Sequence, residues 1–233
     1  MPYLAMTAAE ILTCDPMPPK LGWMACHFSP YGTGLTNLPQ NLPKGSLLIL
    51  NDRTPIHGHD PQRIFDQLED VIYKFSCSNL LLDLQRPCQE APAIIEKLLA
   101  LPCPVITSQL HGENLDTPIF LPPVPLNVPP KAYLKNYTAR EIWLEIALDA
   151  LQITVTEKGS AFLQIPWDDE SFTHKDTELF CHYKADISQE KAIFTLKRSR
   201  NDLLELLEEA KSLGVIHTVG LYQELRSFHP SSI

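Results

Sequence analysis

Asp52, Asp83, Gln85 and Glu224 stand at or near the carboxyl ends of predicted strands. Side chains alternate between the two faces of a strand, so Asp83 and Gln85 project one way while Leu82 and Leu84 project the other. Acid–base hydrolysis needs a carboxylic acid of raised pKa beside a second carboxylate or a polarised amide. Asp83 and Glu224 are the obvious pair on separate predicted strands, with Glu224 as proton donor and Asp83 as partner carboxylate. The plainer alternative is that these acids hydrogen-bond within a polar strand end or pair with Arg53 and Arg86.

A second constellation is His57-Gly58-His59-Asp60. Two histidines one residue apart can hold a metal when they share a strand, and His27 or His111 could complete the set, which makes a metal-dependent hydrolase an alternative. The segment reads as a loop, however, and Asp60 before Pro61 is accounted for as a helix cap, so no metal is assigned. Among the aromatics, Trp23 and Trp143 lie within apolar strands and are expected in the core. Tyr31, on a glycine-containing loop, is the better candidate for stacking on a ligand. Cys26 and His27 are strand neighbours facing opposite sides, so they form no thiol–imidazole dyad. No GxGxxG, Walker loop or GxSxG is present, and no cofactor is implied.

The elements that position these groups begin with an apolar run at 46–52, a helix at 60–75 with Ile64, Leu68, Val71, Ile72 and Phe75 at helical spacing, and a second apolar run at 79–86. Continuous apolar runs suit strands buried on both faces, and two parallel strands joined by a helix make a right-handed βαβ unit. Ligands in such folds bind at the carboxyl ends of the strands. A first core strand is expected at 21–28, followed by a long Pro- and Gly-rich loop at 29–45, which in a barrel would sit on the active face. A helix at 89–101 and strands at 104–109 and 118–121 follow. Beyond 141 come short β-segments at 142–148, 152–156 and 161–165, then 180–187 and 192–197, the last four reading as two hairpins. Ser199 or Asn201 then caps a helix with Leu203, Leu206, Leu207, Ala210 and Leu213 on its buried stripe, and 217–225 is the closing strand.

Only three helices are convincing against the eight of a regular barrel. The expected fold is therefore an α/β protein, an irregular or incomplete TIM-like (β/α) barrel with a β-hairpin insertion at 151–197, in a single domain spanning 1–233. An open α/β sheet is the competitor.

Composition sets bounds on partners. The 233 residues are 44% hydrophobic and 20% charged with a net charge of −9, and no basic stripe offsets that balance. Nucleic acid and an anionic membrane are therefore not expected as partners. The amino terminus lacks the basic and apolar regions of a signal peptide, and no apolar run approaches the roughly 20 residues that span a bilayer. Six scattered cysteines without a CxxC pair read as reduced thiols in a cytoplasmic protein. The oligomeric state is not legible.

Leu82-Asp83-Leu84-Gln85, the late run Gly220-Leu221-Tyr222-Gln223-Glu224-Leu225 and the β-insertion before the last βαβ unit together resemble family-18-type (chitinase-like) glycoside hydrolase barrels. That family carries a DxxDxDxE pattern on one strand, with the Glu as acid and the adjacent Asp positioning the substrate N-acetyl group. Asp83 falls at the last Asp, Gln85 replaces the acid, and upstream Leu81 stands at an acidic position of the pattern with Asn79 close to another. The resemblance implies a glycoside-hydrolase-like protein acting on or binding a carbohydrate. Because an amide cannot supply the proton, the alternative it implies is a non-catalytic sugar-binding or scaffold protein. Tyr222 is the nearest candidate for the aromatic sugar platform of the last barrel strand. The expected small-molecule or oligosaccharide site is lined by His27, Tyr31, Asp52, Gln85, Arg86 and Tyr222, with Asp83 and Glu224 as the reactive carboxylates.

Overall fold

The computed structural model describes residues 1–137 and 139–226. Along the chain run β1 (Tyr3–Met6), α1 (Ala8–Thr13), β2 (Leu21–Phe28), β3 (Leu35–Thr36), β4 (Leu47–Asn51), α2 (Pro61–Phe75), β5 (Asn79–Asp83), α3 (Ala91–Leu98), β6 (Val105–Ser108), α4 (Gln109–Gly112) and β7 (Ile119–Leu121). Then come α5 (Pro130–Leu134), β8 (Ile142–Glu145), β9 (Ala150–Thr156), β10 (Gly159–Gln164), β11 (His174–Asp176), β12 (Cys181–Ile187), β13 (Lys191–Lys197), α6 (Arg200–Ser212), β14 (His217–Leu221) and α7 (Tyr222–Leu225). These residues fall into two compact units: Met1–Leu121 with Arg140–Glu145 and the chain from His217, and Pro122–Ala139 with Ile146–Ile216.

The first unit is a closed barrel. Its parallel strands follow the order β1-β14-β8-β7-β6-β5-β4-β2, and β1 pairs in parallel with β2 to complete the ring. Closure removes the open-sheet alternative. Alternation along the strands sorts the apolar runs into two layers. Tyr3, Ala5, Leu47, Ile49, Leu81, Ile106, Phe120, Trp143 and Val219 fill the barrel. Leu48, Leu50, Leu80 and Leu82 point outward and pack with Ile64 and Leu68 of α2 and Ile94, Ile95 and Leu98 of α3. Burial on both faces is what makes 46–52 and 79–83 continuously apolar. The helix between them starts as expected: Asp60 accepts the Gln62 N–H at 3.0 Å with Pro61 at the first position. It ends at Ser76 in the left-handed region, with φ at 50°.

Three boundaries differ from the sequence expectation. β1 and α1 precede the expected first strand; a four-residue strand is too short to show a period. The loop at 29–45 carries β3, antiparallel to the end of β2, and Gln67 of α2 accepts the Leu35 N–H at 2.8 Å to hold it. The closing strand stops at Leu221, so Tyr222 and Glu224 sit on the short helix α7 rather than on a strand.

The second unit is built on a five-stranded antiparallel sheet in the order β10-β9-β13-β12-β11. Both expected hairpins form, and β13 lies between β9 and β12 to join them into one sheet. Leu126, Leu151, Cys181 and Leu196 form its small core. Arg198 is wholly buried there and donates to the carbonyls of Val124, Leu179 and Phe180 at 2.9, 3.3 and 3.3 Å. Ser199 caps α6 through a capping box with Asp202.

Candidate functional site

At the carboxyl ends of the barrel strands, register places polar residues side by side. His27 of β2 pairs with Asn51 of β4, and Asn51 pairs with Asp83 of β5. Leu81, two residues before Asp83, and Ile49, two before Asn51, belong to the barrel filling. Alternation therefore turns Asp83 and Asn51 toward the mouth. Asn51 also repairs an irregularity: where the register of β2 slips between Trp23 and Cys26, its amide donates to the carbonyls of Met24 and Cys26 at 2.9 and 3.1 Å. His27 Nδ1 lies 2.9 Å from the Ala25 carbonyl in the same irregular stretch.

Asp52 has a different role from its neighbour. It is 6% exposed, and one of its oxygens, Oδ2, accepts the backbone N–H groups of Gln85 and Arg86 at 3.0 and 2.7 Å. It thereby fixes the path of the chain leaving β5. Among the described residues, neither Asp52 nor Asp83 is ion-paired with Arg53 or Arg86. The exposed side chain of Gln85 turns back, and its amide donates to Asp83 Oδ1 at 2.6 Å.

Glu145 closes β8 and joins the same mouth. Trp143, two residues before it, and Val219, its register partner on β14, both belong to the barrel filling. Burial, followed by the nearby charges of Asp83 and Glu224, pushes the Glu145 carboxyl up to about 7. Asp83 is also raised, chiefly by burial and further by Asp52, while the Gln85 amide opposes the shift. Glu145 thus lies within electrostatic reach of both Asp83 and Glu224. Sequence reasoning missed Glu145, because the inward direction of Trp143, and of Glu145 two residues on, is set by the pairing of β8 in the barrel.

The remaining expected residues lie in varied places. Tyr31, 85% exposed, sits on a turn after β2 that is closed by the Ser29 N–H donating to the Gly34 carbonyl at 2.8 Å. Tyr222 packs against the outer apolar layer, and Cys14 Sγ lies 3.4 Å from its hydroxyl. His57 is almost fully exposed and lies 3.4 Å from Glu90. His59 is buried against the edge of Phe28, with Nδ1 accepting the His57 N–H at 3.2 Å. Among the described residues, no three His, Cys, Asp or Glu side chains converge as a metal site. Trp23 and Trp143 are buried, Trp143 between Tyr3 and His217 at centroid distances of 5.5 and 4.3 Å. No helix among the described residues is long and apolar enough to cross a membrane.

No protein-family profile matches the sequence, and no curated protein does. Solved structures do match in fold. The spore cortex-lytic enzyme SleL of Bacillus cereus superposes with a TM-score of 0.55 at 9% identity, over 94% of this chain and 69% of that one. SleL of Bacillus megaterium gives 0.54 at 9% identity over the same shares, 94% and 69%. The C-terminal domain of a candidate chitinase from Desulfitobacterium hafniense gives 0.57 at 7% identity, over 94% of this chain and 92% of that domain. In fold, then, the chain resembles this chitinase domain and the spore cortex-lytic enzymes, as residues 82–85 and the inserted β-sheet suggest.

Proposed function

We propose that the protein binds an oligosaccharide at the carboxyl-terminal mouth of its barrel and hydrolyses a glycosidic bond there. The observation that carries this reading is the group of three carboxylates at the mouth, one of them held close to neutrality. Glycoside hydrolysis needs a protonated and an ionised carboxyl group together. The group holds both carboxylates assigned from sequence, Asp83 and Glu224. Tyr31, exposed on the loop after β2, is the aromatic ring we assign to stacking on a sugar. His27, Arg86 and the Gln85 amide add hydrogen-bonding groups for sugar hydroxyls. The chitinase domain among the structural relatives points to chitin-like glycans. The net charge of −9 argues against nucleic acid and anionic membranes. Six free cysteines suit a reducing, cytoplasmic compartment.

The second reading, a sugar-binding protein without catalysis, is favoured by Gln85 at the position of the family acid. Both are tested by thermal shift against chitin oligosaccharides and peptidoglycan fragments, followed by assay of new reducing ends. A ligand that binds the folded state raises the melting temperature with concentration. A shift with cleavage supports the hydrolase, a shift without cleavage leaves the binding protein, and no shift with any glycan overturns both.

A further inference from the structure

We propose that Glu145 is the acid that protonates the departing glycosidic oxygen, the role that the chitinase-like pattern gives to the residue at position 85. This assignment rests on the hydrolytic reading above and moves the donor role away from Glu224. Gln85 cannot fill it, because its amide has no transferable proton at ordinary pH and is engaged with Asp83 Oδ1. Glu145 sits at the mouth end of β8, on the inward face defined by Trp143 and by its register partner Val219. It is rigidly placed by a strand paired on both sides. Glu224, by contrast, stands on a four-residue helix beyond the barrel strand.

The surroundings of Glu145 favour its protonated form. The charges of Asp83 on β5 and Glu224 on α7 both act on it in that direction. Of the strands beside it, β7 (Ile119–Leu121) brings only apolar side chains, and the one titratable residue of β14, His217, lies at the far end against Trp143. A carboxyl group flanked by two others and partly removed from water keeps its proton to higher pH than an isolated one. Asp83, with one oxygen held by Gln85, is left as the base.

The reaction balances as follows. The Glu145 carboxyl gives its proton to the glycosidic oxygen as the bond from that oxygen to the anomeric carbon breaks, and the bonding pair stays with the oxygen. The oxygen of one water bonds to the anomeric carbon while a water proton passes to Asp83. A proton returned from Asp83 to Glu145 through solvent restores both groups, and the net change is the addition of one water.

The test compares Glu145→Gln with the wild-type protein on a natural oligosaccharide and on its 4-nitrophenyl glycoside, whose leaving group needs little protonation. The expected result is a loss of roughly 10²–10⁴-fold in kcat on the oligosaccharide. A much smaller loss is expected on the aryl glycoside, with the oligosaccharide thermal shift kept. In wild type, the alkaline limb of kcat/KM should fall near pH 7, and it should move to lower pH in Glu224→Gln, where one like charge is gone. Glu145→Asp, which keeps an acid at shorter reach, should retain part of kcat and serves if the amide variant does not fold. Unchanged oligosaccharide turnover in Glu145→Gln, or an equal loss on both substrates, overturns the assignment while leaving the hydrolase reading intact. Wild-type protein that cleaves neither substrate overturns the hydrolase reading, and this assignment with it.

Discussion

Gln85 donates its side-chain amide to Asp83 Oδ1 across 2.6 Å, so the residue two positions beyond Asp83 acts as a clamp on it. The bond favours the ionised form of Asp83 and works against burial. Replacing Gln85 with leucine should raise the Asp83 pKa, as read from the carbon shift of its carboxyl group in an NMR titration. A titration curve that does not move would show that the amide leaves Asp83 alone.

The raised carboxyl of Glu145 makes stability depend on pH. Its pKa is about 7 in the folded protein against 4.5 as the unperturbed value. The folded state therefore binds the proton more tightly, and its contribution is fully present below pH 4.5. That contribution is lost as pH rises from 4.5 through about 7. Asp83, also raised, acts in the same direction. Melting temperatures of Glu145→Gln should fall less steeply across this window than those of wild type. Parallel curves would contradict the raised value.

Asp52 should matter to stability more than to chemistry. Removing it in Asp52→Ala leaves the Gln85 and Arg86 N–H groups without their shared acceptor. A loss of roughly 2–4 kcal/mol in urea unfolding follows from two hydrogen bonds to a charged group. Because the Asp52 charge also raises Asp83, an Asp52→Asn variant should lower the Asp83 pKa.

In the second unit, Arg198 takes the place of a larger apolar core. Its fork reaches three carbonyls, and a lysine has no such geometry. Arg198→Lys and Arg198→Ala should both destabilise that unit, the alanine variant by about 3–5 kcal/mol as carbonyls lose their donor. Trp167, whose indole donates to the Arg198 carbonyl at 3.0 Å, is a fluorescent reporter inside the same unit. Unfolding followed at Trp167 that is unaffected by either change would refute this.

Much of the barrel was legible because burial on both faces writes a simple signal. Leu47 to Leu50 and Leu80 to Leu82 are apolar without interruption since every side chain meets either the barrel filling or the helices. Asp60-Pro61 marked a helix start by local chemistry alone. The mouth was only half legible. Asp83 could be placed by alternation, but the inward turn of Glu145 depends on β8 lying beside β14, a pairing between residues some 70 positions apart. No local pattern carries that. Glu224 was read as a strand residue because 217–225 has no breaker at Leu221, although the chain turns into α7 there. His57 and His59 are separated by one residue in sequence, yet one is exposed and the other buried against Phe28.

The position of β14 has a consequence for how the molecule is made. β1 begins at Tyr3 and one of its two neighbours is β14, which begins at His217. Until that strand emerges from the ribosome, at roughly 5–20 residues per second, both β1 and β8 present an unpaired edge. The ring is then an open ribbon, and its closing contact is among the most distant in the chain. Such long-range pairing is slow to form and leaves apolar edges exposed while it waits. Yield in cells should therefore depend on chaperones more strongly than the stability of the finished barrel would suggest.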